Sequence, residues 1–351
     1  MRQRMLAVVQ GRAVDRVPFV HYENLGAPTR ELWSVLGRQN VGVLRWTAAH
    51  RIEAPNCRFE SREIMHQGLR GTLTTLHTPA GVLTEEKLFQ PDLGAAATRK
   101  HFVIEPADYR PLIAYLRDVV VHEDLGRLER DLRELGEDGL PHVTVDRTPF
   151  QQLWVQWVSI EDLCLHLVDC PDLVEECVAL MAGILRKEFH VAREAAAPYV
   201  VFPDNITAPV IGEERFRRYC VPLYNELAEM LSDKEAPVFM HMDGDLKPLW
   251  KAIGESGVGG IDSLSPPPDN DTSVAQALAM WPEMRVFVNF PSSVHLAPPN
   301  QVYEQAARLL REGGASGRLQ IQVSEDVPPG VWRTSFPQIV KAISDSGAPA
   351  A

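Results

Sequence analysis

From about residue 140 onward the chain alternates short β-type runs with longer amphipathic segments, and this alternation constrains the fold more than any other feature. It is the pattern of successive βα units, whose strands form a parallel sheet. Eight strands are predicted, at residues 15–24, 41–47, 142–147, 199–205, 237–243, 259–264, 284–290 and 318–324. Eight strands with helices between them predict a closed (β/α)8 TIM barrel of the α/β class rather than an open doubly wound sheet, and the length of 351 residues fits such a barrel.

Residues 60–90 break this alternation. Within this segment apolar and polar residues alternate with period two, and turns are expected at QGLRG and TPAG, which is typical of antiparallel hairpins. We therefore expect a β-hairpin excursion inserted in the N-terminal third of the barrel. Helices are predicted at 106–118 and 123–136, and a helical tract from 150 to 196 is expected to restart at Pro171.

Charge and composition exclude several functional classes. The formal net charge is -12, and no cluster of Lys and Arg interleaved with aromatic residues is present, so we expect no nucleic-acid partner. No apolar run is long enough for a spanning helix, which predicts no membrane role. The N-terminal residues lack the features of a signal peptide, and five cysteines without a C-x-x-C pair fit reduced thiols. A cytoplasmic protein with a small-molecule substrate is therefore expected.

Polar residues follow most of the predicted strands, where the active site of such a barrel is built. The segment PVFMHMDGDL (237–246) ends in His241 and Asp243, whose spacing places both side chains on one side of a strand. Imidazole and carboxylate groups both bind zinc, and a catalytic zinc needs a third protein ligand. Glu325, in SEDVPP (324–329), ends another strand and is the candidate. These residues alone support equally an alternative in which His241 bonds the backbone and Asp243 begins an Asx turn.

Other side chains at strand ends are candidates for catalysis and for substrate binding. General acid–base roles, or orientation of the imidazole, fit the carboxyl groups of Asp326, Glu23 and Asp204. Contacts with a polar substrate fit Asn24, Tyr22, Asn205, Asn289 and His295. Each of these could instead serve its own loop or the core. The glycine-rich segment 254–260 precedes a strand, so it is expected at the opposite end of the barrel and forms no dinucleotide fingerprint.

The spread of these motifs resembles the uroporphyrinogen decarboxylase superfamily, which includes zinc-dependent methyltransferases that act with corrinoid proteins. The opening RMLAVVQGRAVDRVPF (4–19) is similar to the entry motif of that superfamily, with Gly11 and Asp15 in place. Similar blocks follow at 77–85, 104–109, 203–231 and, most recognisably, at 237–266. The resemblance covers nearly the whole chain and implies a single barrel domain over 1–351 that carries the hairpin insertion at 60–90.

The methyltransferase branch has a His-x-Cys pair followed by Gly, and a distant second Cys, as its zinc ligands. Here His241 matches the histidine, Asp243 stands in place of the first cysteine, and Glu325 falls at or next to the second. The resemblance thus implies a divalent metal, with zinc as the first choice, held by these three residues. It also implies methyl-group transfer with a corrinoid carried by a partner protein. Two carboxylates in place of two thiolates make the site harder and richer in oxygen.

Haem synthesis is not expected. True uroporphyrinogen decarboxylases carry an arginine-bearing segment near the N-terminus, where this chain reads HYENLG (21–26). An acidic chain would also repel a substrate with eight carboxylates. Two alternatives to the methyltransferase hypothesis stay open: a metal-free decarboxylase of a small carboxylic acid, with Asp204 or Asp243 as proton donor, and a non-catalytic corrinoid- or metabolite-binding protein. No oligomeric state is predicted.

Overall fold

The structure, a computed structural model, describes residues 1–92 and 94–347. Its contacts divide the chain into two compact units. The first comprises Met1–Ala49, Leu125–Val145 and the chain from Arg193 onward, and the second comprises His50–Asp124 and Asp146–Ala192. The single domain over 1–351 stays a prediction, and part of it, residues 93 and 348–351, lies outside the described residues.

The elements follow the predicted alternation closely. The strands are β1 (Phe19–Tyr22), β2 (Gly42–Thr47), β3 (His50–Glu53), β4 (Arg58–His66), β5 (Leu69–Thr78), β6 (Gly81–Gln90), β7 (Ala95–Lys100), β8 (Val120–Glu123), β9 (Gly139–Thr144), β10 (Val200–Phe202), β11 (Val238–Met240), β12 (Gly260–Leu264), β13 (Arg285–Asn289) and β14 (Leu319–Val323). The α-helices are α1 (Arg2–Val9), α2 (Thr29–Leu36), α3 (Tyr109–Asp118), α4 (Leu125–Leu135), α5 (Pro149–Gln152), α6 (Ile160–Asp169), α7 (Pro171–Glu194), α8 (Ala208–Arg215), α9 (Val221–Met230), α10 (Trp250–Gly254), α11 (Val274–Met280), α12 (Pro299–Gly313) and α13 (Trp332–Asp345). Short 3-10 or π turns occupy Pro106–Asp108, Leu153–Trp157, Phe216–Cys220, Lys247–Leu249, Ser292–Leu296 and Gly314–Ser316.

The first unit contains a closed barrel of eight parallel strands. Their order around the barrel is β1-β14-β13-β12-β11-β10-β9-β2. The barrel closes because β1 pairs with both β14 and β2, in the registers Phe19↔Ile321 and Val20↔Gly42. Each of the eight predicted strands is present, so the prediction of a (β/α)8 barrel is confirmed.

The interior of this barrel is aromatic and is covered at the amino ends of the strands by α1. The ring centroids of Phe239 and Phe287 lie 4.7 Å apart. Met5 of α1 is buried in the same hydrophobic cluster. A close approach is possible because β2 begins with glycine: a Cβ at Gly42 would lie 2.6 Å from Met1 Cγ. Helix α1 therefore packs against the amino ends of the strands.

The second unit contains the antiparallel sheet β4-β5-β6-β7, so the hairpins predicted at 60–90 are present. Its helical tract ends in α7, which begins at Pro171 as predicted. Proline suits this position because its φ is that of a helix and because the backbone N–H that it lacks would have no partner in the first turn. The two-stranded sheet of β3 and β8 was not predicted. No helix in the described residues is long and apolar enough to cross a bilayer.

Candidate functional site

A fully buried carboxylate lies among the polar side chains inside the barrel. Asp262, on β12, is 0% exposed. Its Oδ2 accepts a hydrogen bond from the Tyr22 hydroxyl at 2.9 Å, and its Oδ1 accepts one from Gln322 Nε2 at 2.5 Å. His142 Nε2 and His241 Nδ1 lie 3.3 and 3.5 Å from Oδ2. A buried carboxylate is tolerated only where such groups replace water, and here four strands position them around Asp262.

His241 follows β11 directly and lies between two carboxylates. Its Nε2 is 3.5 Å from Asp243 Oδ2, and its Nδ1 is 3.5 Å from Asp262 Oδ2. The Oδ2 atom of Asp243 also accepts a hydrogen bond from Asn205 Nδ2 at 2.8 Å. Asn270 Nδ2 donates to the backbone carbonyl of Asp243 at 2.6 Å, which fixes this loop. The Asp243 side chain therefore faces the imidazole.

The electrostatic environment gives the two buried imidazoles opposite protonation states. Burial lowers the pKa of His241, but interaction with the nearby carboxylates of Asp243 and Asp262 outweighs burial and raises the pKa to about 10. Burial raises the pKa of both carboxyl groups, yet the neighbouring imidazoles and amides outweigh it, so each pKa lies below its ordinary value. Burial lowers the pKa of His142 to about 4. At neutral pH His241 is therefore charged and His142 is neutral.

A second polar group joins the ends of β12, β13 and β14. Ser263 Oγ and Ser324 Oγ lie 2.5 Å apart, and Ser324 Oγ donates to Asn289 Oδ1 at 3.1 Å. The carboxylate of Glu325 accepts one hydrogen bond from Ser265 Oγ and one from Ser292 Oγ, each at 2.8 Å. Glu325 is therefore held by two serine hydroxyls.

The three predicted metal ligands are not brought together as a set. His241 and Asp243 face each other, whereas Glu325 is bonded to the two serines. Within residues 1–92 and 94–347, no group of three or more His, Cys, Asp or Glu side chains is arranged to hold a metal ion. The residues therefore do not fit a three-ligand metal centre, and zinc stays a prediction.

Among the other predicted residues, four lie in or beside these polar groups. Tyr22 donates to Asp262, Asn205 donates to Asp243, and Asn289 accepts from Ser324. Asp204 is 0% exposed and accepts a hydrogen bond from the hydroxyl of Tyr224. Their predicted catalytic and binding roles stay predictions.

The remaining predicted residues make other contacts or face solvent. Glu23 pairs with Arg45 Nε at 2.7 Å, and Asn24 Oδ1 accepts a hydrogen bond from the backbone of Thr29 at 3.2 Å. His295 Nδ1 lies 3.0 Å from the hydroxyl of Ser335, and burial lowers the pKa of this imidazole to about 4. Asp326 is exposed. Their roles in catalysis or substrate binding also stay predictions.

The sequence reasoning missed Asp262, His142 and Gln322, because they lie within predicted strands rather than after them. One signal was available. An aspartate in the middle of the apolar run GGIDSL (259–264) must be buried with partners or excluded from the strand. The alternating Gln320 and Gln322 in RLQIQVS give a similar signal, since both face the same side of β14.

Comparison with known proteins identifies the family. The sequence profile of the Uroporphyrinogen decarboxylase (URO-D) family matches residues 153–344, which is more than half of the 351-residue chain. The chain belongs to this family. The matched part includes His241, Asp243, Asp262, Gln322 and Glu325 of the family member described here, and the resemblance inferred from the sequence motifs is confirmed.

Solved structures support the same fold. A methyltransferase from Methanosarcina mazei matches with a TM-score of 0.59 over 98% of this chain and 98% of its own, at 15% identity. At that identity the likeness shows the fold alone. A pneumococcal exo-beta-D-N-acetylglucosaminidase matches more weakly, with a TM-score of 0.43 and 9% identity over 98% of this chain and 87% of its own. No protein of curated function matches the sequence of this family member.

Proposed function

We propose that this member of the URO-D family is an enzyme that decarboxylates a small carboxylic acid by acid–base chemistry, with His241 as the proton donor. One observation supports this proposal: the two ring nitrogens of His241 each lie 3.5 Å from a carboxylate oxygen, of Asp243 and of Asp262. An imidazole between two carboxylates retains both of its protons, and it can donate one to a reacting atom. The family is named for a decarboxylation.

The charges around His241 favour a substrate with few carboxylates. Two carboxylates and one imidazolium leave an excess of negative charge beside the ring. Like charges repel more strongly in a cleft that excludes water than they do in water. An acid with one carboxylate is therefore a better substrate for this site than a porphyrinogen with eight.

In the proposed reaction the bond between the carboxylate carbon and its neighbour breaks, and its electron pair stays on the neighbouring carbon as CO2 leaves. His241 Nε2 gives its proton to that carbon, which replaces the lost C–C bond with a C–H bond. Asp262, fixed by Tyr22 and Gln322, holds the orientation of the ring from the Nδ1 side. Solvent then returns a proton to Nε2, so that one carboxylate and one proton yield CO2 and the protonated product.

The test is release of CO2 from a panel of carboxyl-labelled monocarboxylic acids in the presence of a metal chelator. We expect turnover that His241→Gln lowers by about 10²- to 10⁴-fold, the usual contribution of a positioned proton donor. The matched control is His190→Gln, because His190 is exposed on α7, and this variant should react like the wild type. In D2O the product should carry one deuterium at the former carboxyl position. Equal turnover by His241→Gln and the wild type would contradict the proposal.

A second candidate is metal-dependent methyl transfer of the corrinoid type, which the sequence motifs imply. The separation of 3.5 Å between His241 Nε2 and Asp243 Oδ2 favours it. Two ligand atoms of one tetrahedral metal ion, each about 2.1 Å from the ion, lie roughly 3.4 Å from each other. The remaining predicted ligand, Glu325, accepts hydrogen bonds from Ser265 and Ser292 and does not complete the ligand set with His241 and Asp243. A corrinoid would be supplied by a partner protein.

Metal analysis separates the two candidates. The measurement is the zinc content per chain of protein purified without added metal and again after incubation with zinc. Stoichiometric zinc that is lost in Glu325→Ala would favour methyl transfer. A chain that holds no metal and still releases CO2 would favour the decarboxylase.

A further inference from the structure

A cavity of about 540 Å³ lies at the amino ends of the barrel strands, at the opposite end of the barrel from His241. Its walls include Val9 and Arg12 from the N-terminal segment and Arg285 from the first position of β13. Cavities of about 300 to 1,000 Å³ are typical of sites for small molecules. All the residues that line this one belong to the first compact unit.

The guanidinium of Arg285 has few partners for a group in its position. Its Nη1 donates to the backbone carbonyl of Glu283 at 3.2 Å. Its Nε is buried and has no hydrogen-bond partner within residues 1–92 and 94–347. Buried N–H groups are normally paired, because leaving one without an acceptor costs the free energy of removing it from water. An acceptor brought by a ligand would remove this cost.

Gly11 gives the guanidinium its space. A Cβ at Gly11 would lie only 3.0 Å from Nη2 of Arg285. The φ of Gly11 is +65°, a conformation that other residues adopt at a cost. The chain therefore turns at this glycine in a way that leaves the guanidinium room beside the backbone.

The charge of the cavity is positive although the chain is acidic. Arg12 donates to the side chain of Gln10, and neither Arg12 nor Arg285 forms an ion pair with a carboxylate among the described residues. Glu235 is the one carboxylate among the residues that line the described cavity, which leaves an excess of positive charge. Two arginines and one glutamate give the residues that line the cavity a formal charge of +1, in a chain of net charge -12.

We propose that this cavity binds a small molecule that carries an oxyanion, a phosphate or a carboxylate, next to an apolar group. The guanidinium groups of Arg12 and Arg285 would bind the oxyanion through paired, charge-assisted hydrogen bonds. The apolar group would contact Val9, Leu231 and Val238. This binding site is separate from the proposed decarboxylation, because it lies at the amino ends of the strands and includes none of the residues around His241.

The experiment is titration calorimetry of the whole chain with three probes: phenyl phosphate, benzoate and inorganic phosphate. We expect saturable binding of at least one probe at one site per chain, with affinity that falls as the salt concentration rises. A stronger response to phenyl phosphate than to benzoate would identify phosphate as the oxyanion, and the reverse order would identify carboxylate. Inorganic phosphate lacks the apolar group, so we expect it to bind more weakly than phenyl phosphate. The ratio of the two affinities measures what the apolar walls contribute to binding.

Variants locate the probe. Arg285→Gln and Arg12→Gln should each lower the affinity by about 10-fold or more, which is the usual effect of losing a hydrogen bond to a charged group. Arg311→Gln, at an exposed position of α12, is the matched control and should bind like the wild type. Arg12 is exposed, so its variant keeps the test informative if Arg285→Gln does not fold.

Three results would overturn the proposal. They are the absence of saturable binding for all three probes, binding that neither arginine variant weakens, and binding that His241→Gln weakens as much as the arginine variants do. The last result would place the probes at the carboxyl ends of the strands.

Discussion

The two ends of the barrel differ in how their buried charges are compensated. At the carboxyl ends, Asp262 accepts hydrogen bonds from Tyr22 and Gln322 and has two imidazoles within 3.5 Å. At the amino ends, the guanidinium of Arg285 has a single bond to a backbone carbonyl, and its buried Nε has no partner in the described residues. The Asp262 carboxylate has its donors within the protein, as a preorganised catalytic group must, although His142 Nε2 and His241 Nδ1 beside it make no hydrogen bond among the described residues. The arrangement at Arg285 becomes complete only when an acceptor is added, as a binding site does.

The largest expected effect on stability comes from removing the buried carboxylate at the carboxyl ends of the strands. Asp262→Ala removes the shared acceptor and leaves the charged His241 with Asp243 alone while Tyr22 and Gln322 lose their partner. Removing one member of a buried charged pair costs about 3 to 5 kcal/mol. We expect a loss of this size in the free energy of unfolding, measured by urea denaturation. Asp326→Ala, at an exposed carboxylate, should change it by less than about 0.5 kcal/mol.

The pH dependence of the unfolding free energy tests whether a buried histidine near the carboxyl ends of the strands is neutral. Burial lowers the pKa of His295 in the folded chain to about 4 from a value of 6.5. Between these two values the unfolded chain binds more protons, so stability falls as the pH is lowered from about 6.5 toward 4, by up to roughly 3 kcal/mol for this group. His295→Gln should show a shallower decline of unfolding free energy between neutral pH and pH 4.5, because glutamine does not titrate. Equal slopes for the two proteins would contradict a neutral buried His295.

A smaller effect is expected from removing a single donor. Tyr22→Phe deletes the hydroxyl that donates to Asp262 at 2.9 Å and keeps the ring packing. Hydrogen bonds to charged groups contribute about 1.5 to 3 kcal/mol, so the unfolding free energy should fall by an amount in that range. The control is Tyr303→Phe, because Tyr303 donates to Asp345 on the surface at 3.0 Å and should lose much less. Similar losses for the two variants would mean that the buried network around Asp262 adds nothing to stability.

The sequence predicted the barrel better than it predicted the site. All eight barrel strands were predicted because the order of apolar and polar residues within a strand or a helix reflects which of its own side chains are buried. The sheet of β3 and β8 was missed because each strand is only four residues long, which is too short to show a clear alternation of apolar and polar residues. Asp262 was missed for a different reason, since its partners Tyr22, His142 and Gln322 come from three other strands. The spacing of His241 and Asp243 was visible in the sequence, but the serines that hold Glu325 were not.

The smallest expected effect sharpens the comparison at the amino end. Gly11→Ala adds a Cβ that would lie 3.0 Å from Nη2 of Arg285, at a residue with a φ of +65°. Gly330→Ala is the matched control, because Gly330 has a φ of +84° and a Cβ there meets nothing within 4 Å. The backbone cost of the left-handed conformation is about 1 to 2 kcal/mol, so both variants should lose about that much unfolding free energy. Only Gly11→Ala moves the guanidinium, and it alone should weaken the binding of phenyl phosphate, by a factor of a few in titration calorimetry. Equal affinities for the two variants would mean that Arg285 does not need the space beside Gly11 to bind an anion.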